Sequence, residues 1–493
     1  MHSSFDRFRS LIALAADAAT MLAAYYLSLA LRVDFGTPAY GWMQAHMAAV
    51  VVVALQMFAM SVARAHRDSW GRFRIKHAVR MAAALCGAAA FFILLRIVLP
   101  NHFWARPPYT VSLINAVVCW VSMMVTRILY AAWLAEKRKE PLFGRAAETE
   151  LPPEVKGFFA GRRVMVTGAG GTIGSEICRQ VASLGPESLV LVERSENALY
   201  EIDRRLRVRA KCPLFPEMVD IRESARMEKL FEEHRPEIVI HAAAYKHVPM
   251  VEMNPREGLA NNFLATLDLA ELSVRHGVKR FVFISTDKAV DPSSVMGATK
   301  RLGELAMCVS GGSEIFRAVR FGNVIGSSGI VIPLFEEQVA EGGPITVTDA
   351  RMTRYFMSVA EAVSLVLRAA AMEGNDRLYV LDMGRPRRIV EVAEEIARRH
   401  GYRPYRDMPI VFTGIRGGEK LEEDLGVNVP GARRTAHGKI FALGGTSVTQ
   451  ADIAAIAARA KEICASEMQD DEVRTAVLSL ASNGTRGSGA AAS

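Results

Sequence analysis

The stretch Arg162-Arg163-Val164-Met165-Val166-Thr167-Gly168-Ala169-Gly170-Gly171-Thr172-Ile173-Gly174 decides how this chain folds. Its first six residues read as a short buried strand, and the amphipathic residues 175–184 read as a helix. Between them the spacing Gly168-x-x-Gly171-x-x-Gly174 has a physical logic. The first glycine permits a tight turn, the middle one lets backbone approach a pyrophosphate, and the last allows close packing of helix on strand. The N–H groups that open the helix, around Thr172 and Ile173, then face the phosphates. Glycines after a strand are common in plain turns, so the context matters. A second strand over 188–192 ends at Glu193, where an acid accepts hydrogen bonds from an adenosine ribose. Arg194 follows and is suited to a 2′-phosphate, so NAD is expected and NADP stays open. A further strand ending at Asp220-Ile221 supplies contacts to the adenine ring, and 237–241, followed by Ala242-Ala243, continues the alternation. The expectation is an α/β fold with a Rossmann-type doubly wound parallel sheet.

Upstream the chain is different in kind. Residues 1–140 hold 15 Lys+Arg against 6 Asp+Glu, whereas the remainder holds 45 against 46, so the whole net charge of +8 comes from the N-terminal part. That part is otherwise apolar, with stretches at about 10–31, 42–63, 78–99 and 108–134, each near the ~20 residues that cross a bilayer as a helix. Basic loops beside apolar spans mark a membrane domain and remove the main support for nucleic-acid binding. The loop Arg64–Arg80 and Lys137-Arg138-Lys139 carry most of the charge, which places the N-terminus and everything after residue 135 in the cytoplasm of a bacterial inner membrane, with lipid as a partner. The first stretch is too long and too basic at its end for a cleaved signal peptide. Asp17, Arg96 and Arg127 lie within spans, where snorkelling or pairing with another span is the expected arrangement. Six scattered cysteines with no C-x-x-C pair argue against a disulfide scaffold and against paired-cysteine zinc, and no metal is expected.

The layout expected is four spans in 1–135, a linker over 136–158, the dinucleotide-binding domain over 159–330, a smaller substrate-binding part over 331–445, helices over 446–482 and a disordered tail from 483.

The chemistry is expected at the end of the strand 281–285, where Thr286-Asp287-Lys288 follow. Residues at the carboxyl end of a parallel strand face the ligand crevice. Thr286, Asp287 and Lys288 together offer an acid, a base and an orienter, and Lys300 lies one helical turn after Met296 on the same face. His241 and His247 have no carboxylate or cysteine pattern around them that would make a metal site, and Cys308 is read as a packing residue.

These motifs resemble the extended short-chain dehydrogenase/reductases. STDKAVDPSSVMGATKR (285–301), HAAAYKHVPMVEMNP (241–255), NN (261–262), RFGNVIGSSG (320–329), TRYFM (353–357) and GIRGGEK (414–420) resemble the membrane-bound nucleotide-sugar 4,6-dehydratases of CapD-type polysaccharide biosynthesis. Met296 stands where most of the superfamily has a tyrosine base, a departure shared with the long dehydratases that act on UDP-N-acetylglucosamine. The resemblance implies an internal redox elimination. Hydride leaves carbon 4 of the hexose for nicotinamide, the carbon-5 proton and the carbon-6 hydroxyl are lost, and hydride returns to carbon 6. By resemblance Asp287 protonates the departing hydroxyl and Lys288 takes the carbon-5 proton. Thr286 and Asp287 handle the carbon-4 hydroxyl proton, and Lys300 holds the nicotinamide ribose. A lysine base needs its pKa lowered towards neutrality by burial or a cationic neighbour. The resemblance also implies that Lys246, Asn262, Asn323, the Gly326–Gly329 loop, Arg354, Arg416, Glu419 and Lys420 meet the nucleotide sugar. Arginine suits diphosphate because its fork donates two hydrogen bonds at once. Gly417 replaces a usual proline and Ala265 a usual glycine. The product would serve capsule, lipopolysaccharide or glycoprotein sugars, with retention at carbon 5, a homo-oligomeric state and a downstream aminotransferase or other glycan enzyme implied. A 4-epimerase on the same scaffold and a non-catalytic NAD-binding membrane scaffold are the competing readings. The family's larger members carry an extra nucleotide-fold domain before the catalytic module, for which a linker of about 20 residues leaves no room.

Overall fold

The computed structural model describes residues 2–32, 41–63, 75–98, 109–138, 149–312, 314–326, 331–427, 431–444 and 447–486. Most of the basic loop, the middle of the linker, the Gly326–Gly329 loop beyond Gly326 and residues 487–493 lie outside the described residues. The chain forms two compact units, one from Met1–Arg145 with Glu394–Pro409, the other from Ala146–Ala393 with Ile410–Ser493.

The first unit holds four long helices, α1 (His2–Arg32), α2 (Trp42–Val62), α3 (Ile75–Val98) and α4 (Tyr109–Arg138). All four are long and apolar enough to cross a membrane, over Ala13–Arg32, Trp42–Val62, His77–Leu95 and Tyr109–Trp133. Small residues such as Ala45, Ala48 and Ala49 are buried between helices, where they permit close approach of backbones. Val50, Phe58, Leu94, Val117 and Leu129 face outward, as a lipid-facing surface requires. Asp17 of α1 and Arg127 of α4 form a bidentate pair at 2.8 and 2.9 Å with both side chains buried, so each charge is neutralised by the other rather than by snorkelling. The side chain of Arg96 lies outside the described residues.

The second unit is built on a nine-stranded sheet. Its strands are β1 (Arg163–Thr167), β2 (Ser188–Glu193), β3 (Leu214–Met218), β4 (Ile238–His241), β5 (Arg280–Ile284), β6 (Phe316–Arg320), β7 (Leu378–Leu381), β8 (Arg433–Arg434) and β9 (Ile440–Leu443). The spatial order is β8-β9-β7-β6-β5-β4-β1-β2-β3. The strands from β1 to β7 pair parallel, and β9 runs antiparallel to its neighbours β7 and β8. Strands β1, β4 and β5 are buried along nearly their whole length because helices cover both faces of the sheet. Chain order reverses between β1 and β4, and the crevice at such a switch point is where doubly wound sheets bind ligands.

The structure moves several expected boundaries. The helix after β1 starts at Thr172, not 175, so the last glycine lies inside its first turn. Strand β3 stops at Met218, two residues short of Asp220. At the C-terminus two helices, Gln450–Ala465 and Asp470–Arg486, bury Ile453, Ala457, Ile463, Val473 and Val477 in the same core as the sheet. The tail expected from residue 483 is corrected accordingly, because Asn483–Arg486 complete the final helix.

Candidate active site

The glycine-rich turn leaves no room for side chains. Gly168 has φ +68°, and a Cβ there would come within 2.7 Å of the Ala243 backbone nitrogen. A Cβ on Gly174 would lie 2.0 Å from the Gly168 carbonyl oxygen, so helix and turn touch through backbone alone. Gly170, which the spacing did not single out, matters as much. A Cβ there would meet Ala198 at 2.5 Å, and its N–H donates to Glu193 at 3.1 Å. The turn is therefore a backbone cradle at a helix N-terminus, which fits a dinucleotide diphosphate. The other Glu193 oxygen accepts the Ser195 N–H at 3.1 Å. Arg194 lies over the Tyr245 ring at 4.6 Å, hydrogen-bonds its hydroxyl and approaches Asp220 at 3.9 Å. Asp220 is opposed by burial but held below the usual carboxylate range by its hydrogen bonds from Arg222. Ile221 is buried in the core.

A cavity of about 730 Å³ opens at the carboxyl ends of the parallel strands. Gly171, Thr172, Ile173 and Gly174 line one side with Ala242 and Lys246. Thr286, Lys288, Met296 and Lys300 line its floor, and Asn323, Arg354, Arg416 and Glu419 its far wall. Gly168, Ala243, Glu193, Arg194, Asp220, Ile221, Asn262 and Asp287 do not line it. Asn262 is fully buried, accepts the Tyr245 N–H at 2.8 Å and donates to the Tyr245 carbonyl at 2.9 Å. It holds the loop that presents Lys246. His241 is a strut between Thr167 (2.7 Å) and Thr266 (2.8 Å), and burial, then Lys300, lowers its pKa to about 3.

Thr286, Asp287 and Lys288 follow β5 directly. Lys288 Nζ donates to Asp287 Oδ1 at 2.9 Å, and the Thr286 hydroxyl donates to the same oxygen at 2.8 Å. The Asp287 side chain is fully buried, and its Oδ2 has no hydrogen-bond partner among the described residues. The second carboxylate beside Lys288 is Glu423, 3.5 Å away, which the sequence reading missed. Burial opposes the Lys288 charge, yet Asp287 and Glu423 together raise its pKa above the usual lysine value. A lysine base needs a shift in the other direction, and here the anionic Asp287 and Glu423 favour the ammonium.

At Lys300 the pKa falls, as burial also lowers it at Lys246. The Lys300 Nζ donates to the Ile284 carbonyl at 2.8 Å and sits 4.5 Å above the Phe283 ring. Burial brings it to about 7, against a smaller upward pull from Glu304. As pH falls from 10.5 to about 7, the unfolded chain gains a proton there that the folded chain refuses, so stability declines across that window and levels off below it. Lys300→Met is expected to abolish this slope. Unfolding midpoints of the two full-length proteins in detergent, compared at both ends of the window, check it.

Arg354 is buried and spends its guanidinium on backbone, donating to the Lys420 carbonyl at 2.8 Å and the Leu421 carbonyl at 3.1 Å. Lys420 in turn donates to the carbonyls of Val290 (2.9 Å) and Asp291 (2.6 Å), so it ties two loops together. Below the catalytic loop Glu304 accepts from Ser285 (2.7 Å) and from Arg320 (2.9 and 2.6 Å), a buried network also absent from the sequence reading. An acid on an otherwise apolar helix, Leu302-Gly303-Glu304-Leu305-Ala306, was the available signal for Glu304. Glu423 sits in the acidic run Glu422-Glu423-Asp424, which looks like a solvated surface.

A Rossmann-type sheet with a glycine cradle and an Asp-Lys pair at the end of β5 defines a nucleotide-binding protein of the dehydrogenase/reductase kind. Residues 164–444 match the model of the polysaccharide biosynthesis protein family, and the chain belongs to that family. The chain is 46% identical over 269 residues to the capsular polysaccharide biosynthesis protein CapD of Staphylococcus aureus, covering 54% of this chain and 45% of that one. It is 29% identical over 272 residues to a UDP-N-acetylglucosamine 4,6-dehydratase (inverting) of Campylobacter jejuni, covering 54% and 77%. It is 30% identical over 277 residues to a UDP-glucose 4-epimerase of Rickettsia rickettsii, covering 54% and 78%. The chain spans about half the length of the capsular and related polysaccharide proteins it matches.

Proposed function

We propose that this chain is a membrane-anchored, NAD-dependent nucleotide-sugar 4,6-dehydratase that converts UDP-N-acetylglucosamine to its 4-keto-6-deoxy product with retention at carbon 5. The observation that carries the reading is the 2.9 Å pair of the cavity-lining Lys288 with the buried Asp287 behind it, with Met296 in place of a tyrosine. Identity alone favours an epimerase as much as a dehydratase. The pair separates them, because a 4-epimerase has no need of an acid and a base for loss of water. The dinucleotide supplies the redox capacity that moves hydride from carbon 4 to carbon 6. The chain's own residues hold it and move protons. The cradle from Gly168 to Gly174 takes the diphosphate, Glu193 the adenosine ribose and Lys300 the nicotinamide ribose. With Arg194 committed to Tyr245 and Asp220, NAD is the better fit than NADP. Asp287, with Thr286 bonded to it, receives the proton of the carbon-4 hydroxyl and returns it to the carbon-6 hydroxyl as water departs. Lys288 exchanges the proton at carbon 5. Arg416, Lys246 and Asn323 meet the nucleotide sugar, and Arg354 acts through the loop it ties. The charges of the basic loop and of 137–139 support a catalytic unit on the cytoplasmic side of a bacterial inner membrane, and the reading extends to a homo-oligomer that passes its keto sugar to an aminotransferase or other glycan enzyme.

The test is the full-length protein in detergent with UDP-N-acetylglucosamine in deuterated water, followed by proton NMR. The expected result is a new carbon-6 methyl signal with deuterium at carbon 5, whose coupling pattern gives the configuration. Inversion of carbon 4 without loss of water would make the protein an epimerase, and an unchanged sugar would favour the non-catalytic scaffold.

A further inference from the structure

Lys288 has two carboxylates within reach, and the proposed reaction uses only one of them. Glu423 comes from the loop after Lys420, far along the chain, and its side chain is 3% exposed at the cavity wall. Its Oε1 lies 3.5 Å from Lys288 Nζ and 3.9 Å from Arg354 Nε. Its Oε2 is buried and has no hydrogen-bond partner among the described residues. A buried carboxylate oxygen without a donor is costly unless the site uses it.

Proton accounting shows what use it has. Met296 cannot carry a proton, so the proton released when the carbon-4 hydroxyl is oxidised goes to Asp287, and Asp287 is then occupied until water leaves carbon 6. Lys288 enters the cycle as an ammonium and cannot take the carbon-5 proton in that form. Its own proton needs another acceptor.

We propose that Glu423 is a catalytic residue that takes the ammonium proton from Lys288, frees the amine to act at carbon 5, and returns the proton at the end of turnover. This rests on the dehydratase reading above. The balance closes. Lys288 ammonium and Glu423 carboxylate become amine and carboxylic acid. The amine takes the carbon-5 proton as the carbon-5 to carbon-6 double bond forms and the carbon-6 to oxygen bond breaks, and Asp287 gives its proton to the leaving hydroxyl. When carbon 6 is reduced, Lys288 reprotonates carbon 5, and Glu423 then restores the ammonium. The net change is loss of one water from the sugar, with no external acid or base. Burial and the neighbouring Asp287 carboxylate raise the pKa of Glu423, against Lys288, Arg354 and Lys420, which favours its holding a proton.

The experiment compares wild type with Glu423→Gln and Glu423→Asp, as full-length proteins in detergent. Glu423→Gln is expected to lower kcat for the 4-keto product at least tenfold with KM changed less than threefold, and to slow deuterium entry at carbon 5 in parallel. Glu423→Asp is expected to restore part of both. Independently of any sugar, the pH dependence of Lys288 acylation by acetic anhydride, read by mass spectrometry, is expected to shift to lower pH in Glu423→Gln, because one anion beside the ammonium is gone. Normal kcat and carbon-5 exchange in Glu423→Gln would overturn the proposal. If wild type forms no keto sugar, the dehydratase reading fails and the catalytic role falls with it. The acylation shift then still tells whether Glu423 and Lys288 share a proton.

Discussion

Lys288→Ala is expected to lower formation of the 4-keto product by about 10²–10⁴-fold, the range a positioned general acid or base supplies, and to stop deuterium entry at carbon 5. Lys288→Arg is expected to be equally inactive although it keeps a cation beside Asp287 and Glu423, because a guanidinium does not give up its proton. The pair of variants separates two roles for the residue. If its contribution were the charge alone, the arginine protein would retain most of its turnover. The ion pairs of Lys288 at 2.9 and 3.5 Å favour its ammonium form, in which the proposed base would rest. A free amine next to two buried carboxylates would leave their charges uncompensated. NMR of the product in deuterated water measures both turnover and exchange, and retained carbon-5 exchange in Lys288→Ala would remove Lys288 from the role of base.

The glycine-rich turn and the run Thr286-Asp287-Lys288 stood out in the sequence because most of their signal is local. Gly174 is a glycine for contact within the strand–turn–helix unit, Gly168 combines a left-handed φ with close approach to the Ala243 backbone, and Thr286-Asp287-Lys288 lies one residue past the strand that aims it. The four apolar helices were legible for the same reason, since composition over twenty residues suffices. What the sequence hid is the long-range partnering. Asp17 and Arg127 are 110 positions apart, and neither flank announces the other. The environment of Lys288 was not legible because Glu423 arrives from a loop whose acidic composition suggests solvent, and a pKa depends on such neighbours more than on the motif itself. Asn262 and Arg354 carry the right residue types for substrate contact, but their polar atoms are directed at backbone carbonyls and amides nearby. Residue type pointed to substrate contact, and packing gives both residues loop partners as well, with Arg354 also lining the cavity.

Glu304→Ala is expected to destabilise the catalytic unit by about 3–5 kcal/mol, the cost of leaving a buried charge without its partner. Arg320 has a side chain 4% exposed, gives two hydrogen bonds to Glu304 at 2.9 and 2.6 Å, and retains only the Leu425 carbonyl at 3.2 Å when they are removed. Burial alone would raise the Glu304 pKa, but Arg320, Arg301 and Ser285 bring it below the usual carboxylate range. A depressed carboxylate contributes stability that is present above its unfolded value and is lost as pH falls through its lower folded value, so wild type is expected to approach the variant only in acid. Replacing both residues, as Glu304→Met with Arg320→Leu, is expected to recover much of the loss, because an apolar pair of similar volume avoids the desolvation of two ions. Chemical unfolding midpoints of the full-length proteins in detergent would show this as a coupling between the two sites. A double variant as unstable as the sum of the single ones would mean that the pair is not a unit. Ser285 and Leu425 also tie this network to the loops carrying Lys288 and Glu423. The apolar double variant is therefore expected to regain its midpoint before it regains turnover, since one tie between the loops carrying Lys288 and Glu423 would be gone while those made by Lys420 and Arg354 remain.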